Sequence, residues 1–300
     1  MPAPALMVLA TLLFATMGVC VKLASEFYAA SEIVMYRGLV GMTAMALLTR
    51  QQGISLATKL PGMHLWRSIS GVTSLCLWFY AIGKLPLATA MTLNYMSSVW
   101  MALFLLGGAV LMGAQKLDWR LMASVLLGFV GVALILRPTL DQQQLWHGLA
   151  GLLSGMLAAM AYLQVTALGR AGEPELRVVF YFSVGGALAG ALITAVTEGG
   201  LQTHTLWGAA LLLAVGLLAT AAQVCLTRAY AIGRPLVNAC LQYLGIVFSF
   251  GYGMLLFKDP LTWQATVGML LIIGAGLIAT MLRAKVAPPP KDSQFNPNES

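Results

Sequence analysis

Long apolar runs broken by short polar segments organise this chain as far as position 283. Ten of them reach the length of about 20 residues that a helix needs to cross the hydrocarbon core of a bilayer. They cover approximately 3–22, 32–49, 66–83, 87–112, 119–136, 148–168, 177–197, 207–228, 235–257 and 263–282. The breaks carry helix-stopping residues: Gln51-Gln52-Gly53, Arg137-Pro138, Gly172-Glu173-Pro174 and Asp259-Pro260. The pattern predicts an all-α integral membrane protein with ten transmembrane helices. The start, Met1 to Val21, has no basic segment ahead of its apolar stretch and reads as a first span rather than a cleaved signal peptide. A disordered tail is expected over 284–300, with Pro288-Pro289-Pro290 and a polar end.

The two halves of the chain repeat each other. Tyr-Ala-Ile-Gly occurs at Tyr80–Gly83 and again at Tyr230–Gly233, half of the 300-residue chain further on. Lys84-Leu85-Pro86-Leu87 follows the first copy and Arg234-Pro235-Leu236 the second. Leu93-Asn94-Tyr95 then pairs with Leu241-Gln242-Tyr243, and Leu117-Asp118-Trp119 with Leu261-Thr262-Trp263. The repeats are expected at 1–140 and 141–283. Five spans per unit is an odd number, so the second unit would enter the membrane upside down. Inverted repeats suit alternating access, because exchanging the conformations of two similar halves moves an opening across the membrane. A duplicated structural protein without a pathway is the plainer alternative.

Composition agrees with a lipid solvent. Hydrophobic residues make up 59% of the chain, charged residues 9%, and mean hydropathy is +0.84, which leaves too little charge for a water-facing surface. The net charge of +7 does not form a basic stripe, so no nucleic-acid partner is expected. The bases instead set orientation. With a cytoplasmic N-terminus, the inner segments hold Arg50, Lys59, Arg67, Lys116, Arg120, Arg170, Arg177, Arg228, Arg234, Arg283, Lys285 and Lys291. The outer segments hold only Lys22, Lys84, Arg137 and Lys258, with Arg37 inside a span, so both termini are expected to be cytoplasmic. Cys20, Cys76, Cys225 and Cys240 lie in apolar runs without metal-ligand spacing and read as reduced packing residues.

The set of motifs resembles the EamA-type transporters of the drug/metabolite transporter superfamily. It comprises Phe14, Gly18 and Lys22-Leu23-Ala24 in the first span, and Glu32-Ile33 with Arg37 in the second. Tyr80-Ala81 with Leu85-Pro86-Leu87-Ala88, the repeat at Tyr230-Ala231, and glycine-rich fifth and tenth spans complete it. The resemblance implies a ten-helix carrier of small organic metabolites in a bacterial inner membrane, with a cavity between the halves. Two departures mark a subfamily. The family's acidic residue after the fourth span is Gln115 here, although Asp259 keeps it after the ninth. Ser97-Ser98 and Gly245-Ile246 stand where the family often has proline.

Polar side chains within a membrane usually face a cavity or a partner helix. Candidate substrate-binding residues are therefore Asn94, Tyr95, Tyr162, Gln164, Gln223, Asn238, Gln242 and Tyr243, with Trp78 and Tyr80 adding aromatic surface. The repeated amide–tyrosine pair falls at equivalent places in both halves, so both copies can approach one centre. Amides donate and accept hydrogen bonds and aromatic rings supply flat walls. The competing reading is that the amides bond neighbouring helices. Lys22 and Arg37 on one side, and Arg228 on the other, are candidate entrance charges for a carboxylate, or else tie helix ends together.

No Asp or Glu lies in the middle of any predicted span. A carboxylate relay for protons, or a counter-charge for a cationic substrate, is therefore not expected. No nucleotide motif is present and no cofactor is expected. An intramembrane enzyme would need a nucleophile–base set, whereas His64, His147 and His204 all sit at span ends. The sequence thus points to a secondary transporter or facilitator of amino acids or related metabolites, by family analogy outward, with homodimerisation open. Uptake of a ring-bearing nutrient such as riboflavin or S-adenosylmethionine is the second carrier reading. A non-transporting sensor or assembly partner is the reading from another class.

Overall fold

Apolar content decides which runs become helices here, and prolines mark several of their starts. The computed structural model describes residues 1–111, 119–136, 142–197, 200–233, 238, 241–259 and 262–284. Among these residues all regular structure is helical. Helix α1 spans Ala3–Ala24 behind Pro2, α2 spans Ala30–Gln51, and α3 spans Pro61–Lys84. Proline is well placed in a first turn, where its missing N–H has no intrahelical partner to lose. Pro86 likewise precedes α4 (Leu87–Tyr95), which Met96 separates from α5 (Ser97–Leu111). Then come α6 (Trp119–Leu136), α7 (Gln142–Arg170), α8 (Glu175–Thr197) and α9 (Leu206–Ile232). Helix α10 (Leu244–Tyr252) runs into a π-helical turn, Gly253–Phe257, before α11 (Trp263–Ala284).

Five of these, α1, α2, α7, α8 and α9, are long and apolar enough to cross a membrane. Helix α3 has the length, but Arg67, Ser68, Ser70 and Ser74 dilute its apolar content. It begins five residues before the apolar run predicts, because the Met63 and His64 N–H groups already bond the Leu60 carbonyl across a first turn that opens with Pro61-Gly62. The predicted tail and Gln115 lie outside the described residues, as does part of the predicted ninth span.

The halves interlock rather than stand side by side. Helix α2 packs chiefly on α8, α1 on α9, α3 on α7, and α6 on α11, while α4 meets both α7 and α10. Glycines allow backbone to approach backbone at these crossings. A Cβ on Gly190 of α8 would lie 2.7 Å from the Ser31 carbonyl oxygen of α2, and one on Gly155 of α7 would lie 2.7 Å from that of Leu93 in α4. The outward faces stay apolar: Leu188, Leu192 and Val196 form an exposed stripe on α8 that suits lipid.

Polar ties hold both ends of the bundle. At one end Asp259 accepts a hydrogen bond from the Leu87 N–H at 3.0 Å, satisfying a free donor at the start of α4. Lys22 lies 3.6 Å from the same carboxylate and donates to the Leu85 carbonyl at 3.0 Å. Lys258, left-handed at φ 51°, turns the chain so that the Asp259 N–H reaches the Gly253 carbonyl. At the same end, buried Glu32 accepts from the Gln202 N–H at 3.3 Å and lies 3.6 Å from His204.

At the other end Glu173 is nearly buried and collects three partners. Thr58 donates at 2.7 Å and Arg177 at 2.9 Å, and His64 Nε2 lies 3.3 Å away. Arg177 also donates to the Ser55 carbonyl, so the turn between α7 and α8 grips the loop between α2 and α3. Burial raises the Glu173 pKa, but the hydrogen bonds from Thr58, Arg177 and His64 outweigh it and hold the carboxyl below its ordinary value of 4.5. A depressed carboxylate contributes stability that is complete above the ordinary value and lost as pH falls through the lowered one. Glu173→Gln is therefore expected to lower stability at neutral pH by roughly 1–3 kcal/mol. Thermal unfolding in detergent checks this. The gap from wild type should stay constant between about pH 6 and 8 and close only under acid, below the ordinary carboxylate range.

Candidate functional site

A cavity between the two halves gathers residues from most of the long helices. Thr11 and Phe14 come from α1, Arg37 from α2, and Arg67, Gly71, Ser74 and Trp78 from α3. Asn94 and Tyr95 come from the end of α4, Tyr162 from α7, Phe182 from α8 and Gln223 from α9, while Gln242 lies just before α10. The volume accessible to the centres of water molecules is about 50 Å³, room for a few waters. A larger pocket at one end of the bundle, lined by Tyr28, Phe79, Tyr80 and Lys84 among others, lacks this convergence of buried polar groups. The central cavity is the chemically equipped one.

The repeated dipeptides occupy breaks in their helices. Asn94-Tyr95 ends α4 just before Met96, and Gln242-Tyr243 stands directly before α10. Asn94 Nδ2 donates to Ser154 Oγ at 3.0 Å, Ser154 Oγ donates to the Gly151 carbonyl, and Ser74 donates to the Ser154 carbonyl. This chain fixes the Asn94 amide and leaves its oxygen for another donor. Neither the nitrogen nor the oxygen of the buried Gln242 amide has a partner among the described residues. Tyr95 runs against Gly245, where a Cβ would strike its ring and hydroxyl. The absence of a side chain at Gly245 is therefore what admits that ring.

Aromatic rings complete the walls. Phe14 meets Trp78 edge to face with centroids 6.3 Å apart, and Tyr162 stacks on Tyr230 at 5.6 Å and 15°. The Trp78 indole N–H is buried and has no acceptor among the described residues.

Among the described residues, two arginines supply the only formal charges in the lining. Arg37 and Arg67 are 4% and 2% exposed, although each sits within a helix of the bundle. Their guanidinium carbons lie 5.0 and 4.0 Å from the centroid of the same ring, Phe182. Arg67 folds back along α3 into space kept open by Gly71, whose Cβ would collide with the guanidinium.

Several candidates from the sequence lie elsewhere. Tyr80 is 40% exposed on the second pocket, where it meets His147 edge to face. Gln164 accepts a hydrogen bond from Ser70 at 3.0 Å, tying α7 to α3. Asn238 donates to the Ala229 carbonyl at 2.6 Å and secures the end of α9. Tyr243 is buried in the apolar core outside the cavity lining.

The three candidate entrance charges part company. Arg37 lines the cavity itself, because α2 starts at Ala30 and puts it about 10 Å along the helix. Lys22 ties helix ends through Leu85 and Asp259, and Arg228 is more than half exposed, 3.9 Å from Glu175. Arg67, Phe14, Phe182 and Ser74 are cavity residues that the sequence did not single out. Arg67 reads as a loop base when α3 is started at 66. Started at Pro61, it stands about 9 Å inside.

Comparison with known proteins fits this architecture. The sequence model of the EamA-like transporter family matches residues 1–137. The pseudopaline exporter CntI of Pseudomonas aeruginosa is 34% identical over 278 residues, 90% of this chain and 93% of its own. An uncharacterized transporter of Helicobacter pylori is 25% identical over 92% of this chain and 93% of its own, and a riboflavin transporter of Rhizobium johnstonii 27% identical over 90% and 88%. A solved crystal structure superimposes on 93% of this chain and 97% of its own with a TM-score of 0.66 at 17% identity, a likeness of fold. These relatives point to a transporter rather than an enzyme. On that similarity the chain belongs to the EamA-like transporter family of the drug/metabolite transporter superfamily and is a multi-pass membrane protein.

Proposed function

We propose that this protein is a secondary carrier or facilitator that exports amino acids or related small metabolites across a bacterial inner membrane. It does so by alternating access between two inverted halves of five spans, with both termini cytoplasmic. The observation that carries the reading is the buried cavity to which both halves contribute an amide from the same repeated motif. The 34% identity to an exporter supports the outward direction.

The helix pairing supports the inverted repeat. If the spans of the two halves correspond in order, the pairs α1–α9 and α3–α7 exchange under the repeat, and α2–α8 and α6–α11 map onto themselves. The end ties follow the same rule. The start of α2 grips the loop after α8 through Glu32, and the start of α8 grips the loop after α2 through Arg177.

A cavity of about 50 Å³ is too small for an amino acid, so loading requires the halves to part. The adenosyl alternative is disfavoured by the site, because a sulfonium cation would face two arginines.

Asn94→Ala and Gln242→Ala are each expected to lower flux of the transported solute in proteoliposomes by about tenfold, the loss of one or two hydrogen bonds in a dry site. Monodisperse protein and unchanged membrane insertion establish that both variants fold. Normal transport by both would remove the cavity from the pathway.

Among the described residues, the cavity lining holds no Asp, Glu or His. Intrinsic flux should therefore vary by less than about threefold between pH 6 and 8, where only a group with a pKa in that window changes charge. A steep single-group titration of flux would contradict this.

A further inference from the structure

We infer that the cavity selects solutes bearing two carboxylates, one for Arg37 and one for Arg67, and that it moves them as net anions. The inference rests on the reading of this cavity as the transport site, and it narrows the substrate class.

Both guanidiniums are more than nine-tenths buried, and no carboxylate forms an ion pair with either among the described residues. Arg37 Nε and Arg67 Nε and Nη1 are buried donors without acceptors among the described residues. Such a charge is costly unless something pairs it. Phe182 provides a partial answer to both, because each cation lies over or beside its ring. A π-face does not satisfy N–H donors, however, and the planar fork of a guanidinium matches a carboxylate in two parallel hydrogen bonds.

The neutral groups add one more donor and a two-sided amide. The Trp78 indole N–H is buried without an acceptor among the described residues, and Gln242 offers both an amide N–H₂ and an oxygen. The guanidiniums and the indole call for acceptors on the ligand, and the amide oxygens can take a single ligand donor.

One carboxylate leaves a guanidinium unmatched. A zwitterionic amino acid with a neutral side chain would neutralise one arginine and bring its ammonium toward the other. An acid with a second carboxylate neutralises both. Its ammonium, where it has one, is left for the Asn94 oxygen and the faces of the Tyr162–Tyr230 stack. Since the solute leaves as a net anion and the site returns without it, each cycle carries negative charge outward. An inside-negative membrane potential then drives export without a coupled proton.

The test uses the purified full chain in proteoliposomes and three matched pairs: aspartate and asparagine, glutamate and glutamine, and glutarate and glutaramide. Each pair differs in charge at nearly constant size. Binding is read by thermal stabilisation in detergent and transport by efflux of labelled solute at zero and inside-negative potential. The expected result is at least tenfold tighter binding for a dicarboxylate than for its amide, with efflux raised several-fold by the potential. Arg37→Gln and Arg67→Gln should each abolish most of that preference, and Arg67→Lys should keep only part of it. If no dicarboxylate is preferred over its amide by the wild-type protein, the inference is overturned, even where a neutral solute is carried. If dicarboxylates bind with that preference but nothing is moved, the anion site stands and the carrier reading fails.

Discussion

Two buried cations in a membrane protein, with no acid paired to either among the described residues, set the terms for the rest of this structure. Removing a charge from water costs several kcal/mol even after relaxation, whereas a desolvated cation–π contact returns about 2 kcal/mol. Phe182 therefore reduces the cost of Arg37 and Arg67 without cancelling it. The geometry around the pair serves this compromise. Gly71 leaves room for one guanidinium to turn toward the ring. The close crossing of α2 and α8, made possible by Gly190 and Gly38, brings Arg37 and Phe182 together from separate halves.

The neutral part of the cavity obeys a different constraint. An amide in a low-dielectric site presents a defined group to a ligand when one of its ends is fixed and the other is free. Asn94 fulfils this through Ser154, which is itself bonded to Gly151 and receives Ser74 at its carbonyl. Asn94 reaches Ser154 from the last turn of α4, just ahead of the single-residue break at Met96. The family's proline would create such a break covalently. Here Ser97-Ser98 and Gly245-Ile246 occupy those places, and Gly245 accommodates the Tyr95 ring besides.

Helical class and most helix positions were legible because apolar length is a direct consequence of the solvent. Trp78, Asn94, Tyr95, Tyr162, Gln223 and Gln242 were legible as cavity residues because polar and aromatic groups within apolar runs have few other uses. Gln164 and Asn238 have the same local signature, yet they bond to Ser70 and to the Ala229 carbonyl. Only the identity of the facing helix separates the two outcomes, and one chain read alone does not contain it. Arg67 was obscured by the start of α3: a polar first turn resembles a loop until its backbone hydrogen bonds are counted. Phe182 was invisible for a simpler reason. A phenylalanine in an apolar span is unremarked until two guanidiniums are found beside it.

The distribution of ties bears on which parts can move. The α2–α8 pair is clamped at both ends, by Glu32 with Gln202 at one and by Glu173 with Thr58 and Arg177 at the other. Gly38 and Gly190 also let its two backbones approach closely along its length. In contrast, α4 and α10 are short, end beside the cavity, and are tied at one end through Asp259 and Lys22. If the halves alternate as proposed, the clamped pair would serve as the frame, and α4 and α10 would be the elements that open. Arg37 and Phe182 belong to the clamped pair, whereas Asn94 lies at the end of α4 and Gln242 just before α10. Charge would then stay on the axis throughout a cycle while the amides approach and withdraw, so opening either side need not strip the arginines from the ring that makes their burial tolerable.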